Sequence, residues 1–484
     1  MMFCLDSGGA QLFGLRKLMT ASFYIENFGC RATQADGAAI ERQFQERGLA
    51  RAETFAKSEI VVLNTCTVTA SADRDARAAI RRIRRENPGC QIVVTGCYAQ
   101  RAPEEVAALP GVTRVVGNSH KHQLAEIVAG SRRQDAIAQG GFVPLASISL
   151  LNPAAEAQRE VFVSDIFAHT ELLAAPVFEA GSVAGHDRTR PNLKVQDGCD
   201  NRCSFCVIPS VRGRSRSLPL KRILHEVNAL VDLGYREVVI SGINLGRWGR
   251  DLDRRWRFEN LVWAIVDRTN LEKLRISSVE PMDWSDELIG MMADSARIAE
   301  HAHVPLQSGS DRVLRAMHRK YRPWHYREKL EKIRAAMPMA AIGADVMVGF
   351  PGESDADFEE TRRLIAELPL TYLHVFTYSA RPGTPAATMR EQVPVQIARE
   401  RNRILRDLAA EKKLSFMRTF VGKMVEAITL NVFDGTSTEA LTDNYLKLFL
   451  QGQHEANRWL KARVERVEAG ALIGKIAEEV PLDL

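Results

Sequence analysis

The chain has no apolar run approaching the ~20 residues that a membrane helix needs, so none of its 484 residues is expected to span a membrane. An export signal is missing too. Asp6, Gly8, Gly9 and Gln11 break the first stretch, and no cleavage site follows. Met19 precedes the first clear strand and so offers a second translation start beside Met1. Cysteine is scarce, with eight residues. In a chain without an export signal, and hence expected in the cytoplasm, these exclude a disulfide framework. Reduced thiols remain as metal ligands, catalytic groups or core residues. A net charge of +5 is too small to mark nucleic-acid binding by itself. No low-complexity tract is present.

What is present is an ordinary globular composition, 45% hydrophobic and 26% charged. The length suggests two to four domains. From Ser22 onward, strands alternate with helices. Ser22–Phe28, Glu59–Asn64, Gln91–Thr95 and Val112–Val116 read as strands. Ala38–Arg47, Ala70–Asn87 and a segment from Pro103 read as helices. That alternation predicts a parallel sheet with crossover connections. After a less regular connector the unit repeats about six times, with strands at Asn192–Gln196, Glu237–Ser241, Lys273–Ser277, His303–Leu306, Ile342–Val348 and Tyr372–Phe376. Six units predict a partial (β/α)6 barrel with its chemistry at the strand C-terminal ends. A long charged helix over Pro394–Met417 follows. Five short alternating segments from Met424 to Ile476 then predict a small antiparallel β-barrel. The expected class is therefore α/β with a β-barrel appended. Its domains are an N-terminal α/β domain over 20–130, a connector over 131–185, the partial barrel over 186–417 and the small barrel over 418–484.

Cys199, Cys203 and Cys206 have the spacing C-x3-C-x2-C, which arises by chance only about 0.002 times in such a chain. Three thiolates this close hold three irons of a cubane and leave the fourth iron open. S-adenosylmethionine can chelate an open iron, and electron transfer then cleaves its sulfonium to give a 5′-deoxyadenosyl radical. The plainer reading is a zinc site, but zinc wants a fourth protein ligand and none is near. A second trio is dispersed. Cys30, Cys66 and Cys97 each follow a predicted strand, so a parallel sheet collects them on one edge, where such sheets carry ligands. Spacing alone leaves buried core thiols as a competing reading. Cys90 lies at the opposite edge and Cys4 in the N-terminal extension, so both read as bland.

With these residues in hand, the sequence resembles the methylthiotransferase family of radical S-adenosylmethionine enzymes over nearly its whole length. Asn27-Phe28-Gly29-Cys30, Asn64-Thr65-Cys66 and Thr95-Gly96-Cys97 look like the family's auxiliary-cluster motifs. The Cys199 motif matches its radical domain, and Leu441-Thr442-Asp443-Asn444-Tyr445 is similar to its RNA-binding TRAM module. Ser241–Gly246, Arg275–Pro281 and above all His374–Thr384 look like the MtaB-like branch. Thr33 stands where the family usually shows Asn, and Asp36 follows it.

The resemblance implies two [4Fe-4S] clusters and S-adenosylmethionine. It implies that a methylthio group is added to carbon 2 of N6-threonylcarbamoyladenosine at position 37 of tRNA. The implied partners are the tRNA anticodon stem-loop, a sulfur donor and an electron donor such as flavodoxin or ferredoxin. Ser241, Gly242, Glu280, Gln307, Ser308 and Asp345 are the implied cofactor contacts, with backbone of Val348–Gly352 at adenine. Gly-rich turns and lone acids are also ordinary structural features. Arg212, Arg214 and Arg216, beside the predicted mouth, and Tyr445 are expected to contact RNA through phosphates and stacking. The arginines of the helix at Arg74–Arg85 read equally as a solvated face. Two alternatives remain. One is another branch of the family, acting on isopentenyladenosine in tRNA or on a ribosomal-protein aspartate. The other is a non-catalytic metal-containing RNA-binding protein.

Overall fold

A computed structural model describes residues 21–128, 160–173 and 189–479. Cys4, Met19 and most of the connector over 131–185 lie outside the described residues. Among the described residues, no helix is long and apolar enough to cross a membrane.

The N-terminal sheet is wholly parallel, in the order β2-β1-β3-β4-β5-β6. Its strands are β1 (Ser22–Asn27), β2 (Ala50–Arg51), β3 (Ile60–Thr65), β4 (Gln91–Gly96), β5 (Val112–Gly117) and β6 (Glu160–Phe162). β3 is the apolar run Ile-Val-Val-Leu and is buried along its whole length, as a central parallel strand covered on both faces must be. The helix after β1 spans Arg31–Glu46 and so starts seven residues earlier than expected. Polar Thr33, Asp36 and Gly37 hide this first turn in the sequence. Gly37 is needed there, because a Cβ would lie 2.0 Å from Asn27 Oδ1.

The central unit holds six parallel strands: β7 (Asn192–Asp197), β9 (Glu237–Gly242), β10 (Lys273–Ile276), β11 (His301–His303), β12 (Ala341–Val348) and β13 (Tyr372–Thr377). A short antiparallel strand, β8 (Arg216–Ser217), flanks β7. The order is β10-β9-β7-β8 in one sheet and β11-β12-β13 in the other. Leu274 and Ile298 bridge the two, giving the expected partial barrel. β11 ends earlier than predicted because Pro305 has no N–H to donate. The chain nevertheless stays on β12 through Val304 N–H to Gly343 O (2.8 Å) and Leu306 N–H to Asp345 O (3.1 Å).

Barrel strands largely alternate. Leu193, Val195, Val238, Ile240, Leu274, Ile276, Ala302, Ile342, Ala344 and Val346 join one apolar core under the surrounding helices. Most of the residues between and beside them are polar and lie off that core, namely Lys194, Glu237, Lys273, Arg275, His301, His303, Asp345 and His374, with Val239 and Gly343 among them. The lumen is thus a lined polar space, unlike a filled barrel core.

The long helix spans Val395–Arg418, with Pro394 as its cap and not in its first turn. After it, β14 (Met424–Phe433), β15 (Ser437–Thr442), β16 (Lys447–Gln451), β17 (Trp459–Glu468) and β18 (Ala471–Glu479) close into a five-stranded barrel. The closure leaves no free sheet edge.

Candidate functional site

Cys30, Cys66 and Cys97 follow β1, β3 and β4, three neighbouring strands of one parallel sheet. The topology thereby collects residues dispersed over the sequence. Gly29 shows how closely: in its left-handed conformation (φ +96°), a Cβ would lie 2.5 Å from Cys66 Cβ and 2.8 Å from its Sγ. Gly29→Ala is therefore expected to push Cys66 out of register and lower the iron content toward about four per chain, measurable by metal analysis after anaerobic reconstitution. Burial pushes the Cys66 thiol up to about 11. Asn118 Nδ2 donates to Cys97 Sγ (3.6 Å) and to Val211 O (2.7 Å).

The second trio occupies the loop after β7. Asn244 Nδ2 donates to Cys199 Sγ at 3.5 Å, and Arg319 Nη1 donates to Cys203 Sγ at 3.3 Å. Burial pushes the Cys206 thiol up to about 12. Buried thiols of this kind stay protonated near neutrality unless a metal displaces the proton. Cys97 of the first trio meets Cys199 and Cys206 of the second across one apolar seam with Val207, Ile208 and Val211. Each trio offers three sulfur donors, and neither has a fourth described cysteine: Cys90 is buried in the separate core of the N-terminal sheet. The donor sets fit two cubanes, each with one open iron.

Relatives agree with this geometry. Residues 22–117 match the family described as "Uncharacterized protein family UPF0004", and residues 193–365 match the radical SAM superfamily. The chain is 34% identical over 441 residues to a threonylcarbamoyladenosine tRNA methylthiotransferase, MtaB, of Aquifex aeolicus, covering 91% of this chain and 99% of that one. It is 35% identical over 444 residues to MtaB of Bacillus subtilis, covering 90% and 92%. A tRNA-2-methylthio-N(6)-dimethylallyladenosine synthase of Saccharopolyspora erythraea is 34% identical over 415 residues, covering 85% and 78%. The chain belongs to the radical S-adenosylmethionine methylthiotransferases. In fold it is similar to the radical S-adenosylmethionine methyltransferase TsrM of Kitasatospora setae (TM-score 0.51, 16% identity, covering 76% and 77%).

In this methylthiotransferase, Glu280 accepts from Arg319 Nη2 and is thereby tied to Cys203. Ser241, the penultimate residue of β9, has a buried hydroxyl that makes no hydrogen bond. A Cβ on Gly242 would lie 2.9 Å from Gln196 Oε1, and Gln196 holds Gly198 O at 2.8 Å, next to Cys199. These three residues gather at the cysteine loop. Gln307 is left-handed (φ 64°) and begins the next turn. Ser308 does not join them: it is fully buried, with its hydroxyl 3.2 Å from Thr361 Oγ1. Asp345 lies in the lumen, 3.3 Å from His374 Nδ1 and 3.5 Å from His303 Nε2.

One expected RNA contact is corrected. Arg212 is only 2% exposed and holds Asp197 through Nη1 (2.9 and 3.0 Å) and Asp36 through Nη2 (3.1 Å). Its Nη2 also lies 3.4 Å from Thr33 Oγ1, which is itself 3.6 Å from Cys30 Sγ. Arg212 therefore supports the N-terminal cysteines and cannot reach a phosphate. Tyr445 is partly exposed, its ring 4.8 Å from that of His301. Arg216 is half-buried and donates to Arg212 O and Arg214 O. Arg214 is exposed. On the helix Ala70–Glu86, Arg77 pairs with Glu105 and Arg82 with Glu26, while Arg74 and Arg81 are exposed. The sequence reading missed Arg319, which no motif marks. It also missed the polar lumen, which the alternation in Lys273-Leu274-Arg275 and His301-Ala302-His303 does mark.

Proposed function

We propose that the protein adds a methylthio group to carbon 2 of N6-threonylcarbamoyladenosine at position 37 of tRNA, using two [4Fe-4S] clusters and S-adenosylmethionine. The observation that carries the reaction is the meeting of Cys97 with Cys199 and Cys206 across one apolar seam. The naming of the relatives matched over about nine-tenths of the chain supports the substrate.

Cys199, Cys203 and Cys206 would hold the cluster that binds S-adenosylmethionine; Cys30, Cys66 and Cys97 would hold the auxiliary one. When bound, these groups supply one-electron chemistry at the sulfonium and the sulfur to be transferred. An aromatic C–H is not acidic enough for a side-chain base, which is why such a supply is needed. The protein's own residues position and insulate. Arg319 and Asn244 donate to sulfur of the first trio, and Asn118 to Cys97 of the second. Val207, Ile208 and Val211 keep water from the seam. Ser241, Gly242 and Glu280 are assigned to S-adenosylmethionine, and Gln307 to the turn beside it.

We assign residues 20–130 to the auxiliary-cluster domain, 186–417 to the radical domain and 418–484 to a TRAM-like RNA-binding module. Exposed Arg214 is assigned to tRNA. A sulfur donor and a flavodoxin- or ferredoxin-like electron donor complete the reaction, in the cytoplasm with the tRNA. Mass spectrometry of tRNA nucleosides from a deletion strain tests the reading: the methylthio form of threonylcarbamoyladenosine is expected to vanish. Its persistence, with loss of the methylthio-dimethylallyl form instead, would transfer the protein to the other branch.

A further inference from the structure

The lumen between the strands and the two flanking domains has a floor that the reaction as described does not use. Three parts of the chain meet there. Tyr445, on the turn between β15 and β16, enters from the small barrel in a left-handed conformation (φ 68°) that non-glycine residues seldom adopt without support. The support is specific: Arg275 Nη1 donates to Asp443 O (2.8 Å), and Asn444 Nδ2 donates to Met339 O (2.9 Å). Tyr372 comes from β13. Its ring crosses the lumen where Gly343 leaves room, since a Cβ there would lie 2.0 Å from the ring. Arg31, the residue after Cys30, reaches in from the N-terminal domain, its Nη2 3.5 Å from Tyr445 Oη.

The charges on this floor are unequal. Arg275 is paired with Glu237 at 2.6 Å, and Arg190 lies 3.7 Å from the same carboxylate. Among the described residues, no carboxylate pairs with Arg31. His303 is buried, its Nδ1 held 2.6 Å from Ser278 Oγ, while its Nε2 makes no hydrogen bond. His303, Asp345 and His374 bring their polar atoms within 4.8 Å of one another. A guanidinium that meets a phenol hydroxyl and no carboxylate, a His303–Asp345–His374 cluster and two tyrosine rings thus lie together. An apolar substituent would offer Arg31 no acceptor beyond the Tyr445 hydroxyl.

We propose that this floor reads the acidic N6 substituent of the target adenosine, with Arg31 binding its carboxylate. The inference rests on the threonylcarbamoyladenosine reading above. That substituent carries a carboxylate, a hydroxyl and a urea, whereas the dimethylallyl group of the rival substrate carries no polar atom. Guanidinium matches carboxylate geometry with two parallel N–H bonds. Tyr445 holds Arg31 in place, and His303, Asp345 and His374 meet the hydroxyl and urea. Arg31 follows Cys30 directly, so the residue that recognises the substituent is fixed to the loop that carries the auxiliary-cluster ligand.

The test uses the reconstituted holoenzyme and two anticodon stem-loop RNAs. One carries the substituent as the free acid, the other as its neutral carboxamide. The wild type is expected to prefer the acid in kcat/KM by on the order of 50-fold, the scale of a charge-assisted hydrogen bond. Arg31→Gln is expected to shrink that ratio to within about threefold, and Arg31→Lys to leave an intermediate value. Equilibrium binding of both RNAs without reductant reads the same ratio in any variant with reduced turnover. Tyr445→Phe, remote in sequence from the cluster ligand, is expected to lower the ratio several-fold with wild-type iron content. An unchanged ratio in Arg31→Gln overturns the inference and leaves the substrate reading intact. A wild type that modifies neither RNA, while still forming 5′-deoxyadenosine, overturns both.

Discussion

Cys66→Ala is expected to cleave S-adenosylmethionine and yet release no methylthio nucleoside. Cys66 stands between Cys30 and Cys97 on the middle strand of the three, so its loss leaves two donors on the outer strands. Cys90 cannot substitute, because it lies in the opposite part of the sheet, and Cys199 and Cys206 belong to the other trio. Two thiolates do not hold a cubane, and iron should fall from about eight to about four per chain. The radical trio is built on a different strand, with its own supporting donors Asn244 and Arg319. Its 5′-deoxyadenosine yield should stay within about threefold of wild type, while methylthio product falls by about 10³-fold or more, the scale expected when a whole reactive group is removed. Cys203→Ala should instead abolish both. Iron analysis and chromatography of the two products from one reaction check this. Full product with full iron in Cys66→Ala would remove the dispersed trio from the mechanism.

The compact trio was legible because its spacing is a property of the sequence alone. The dispersed trio was legible only through topology: each thiol follows a strand, and parallel strands end on one edge. Burial of charge was not legible. Arg212 sits in an arginine-rich stretch that reads as a phosphate contact, and nothing local shows that Asp36, 176 residues earlier, returns to pair with it. The early start of the helix at Arg31 was hidden for a related reason. Its first turn buries Thr33 and Asp36 against another domain, so the apolar period that marks a helix is absent there. The apolar half of the barrel alternation was used to find strands; the polar half, read as lining, would have shown the lumen.

The junction around Asp36 supports the other large effect. Asp36 holds Lys121 (2.9 Å), Lys194 and Arg212 (3.1 Å), and Asp197 holds Lys194 and Arg212, each at 2.9 Å. Three cations and two carboxylates are therefore buried between the N-terminal helix Arg31–Glu46 and β7. Such a network is weak evidence of net stabilisation, but removing one member leaves buried charge uncompensated, which costs about 3–5 kcal/mol. Asp36→Asn should thus loosen the helix from the barrel and misplace Cys30, six residues away, opposite the radical loop. Hydrogen exchange along Arg31–Glu46 should accelerate by about 10²-fold or more, with product formation falling in parallel. The pH dependence has a definite sign. Burial raises the Asp36 carboxyl, but Lys121, Lys194 and Arg212 outweigh it and hold it at about 2. A depressed carboxylate contributes fully above its ordinary pKa of about 3.9, and the contribution fades as pH falls through the folded value. The gap between wild type and Asp36→Asn should be flat from neutral pH to about 5 and close toward about 2. Adding Lys194→Met to Asp36→Asn restores the original balance, leaving Lys121 and Arg212 against Asp197. The double variant should recover part of the lost protection. If it is instead worse than Asp36→Asn by the full cost of a second independent loss, the two residues do not act as one ion network, and the N-terminal sheet is held to the barrel by its apolar seam alone.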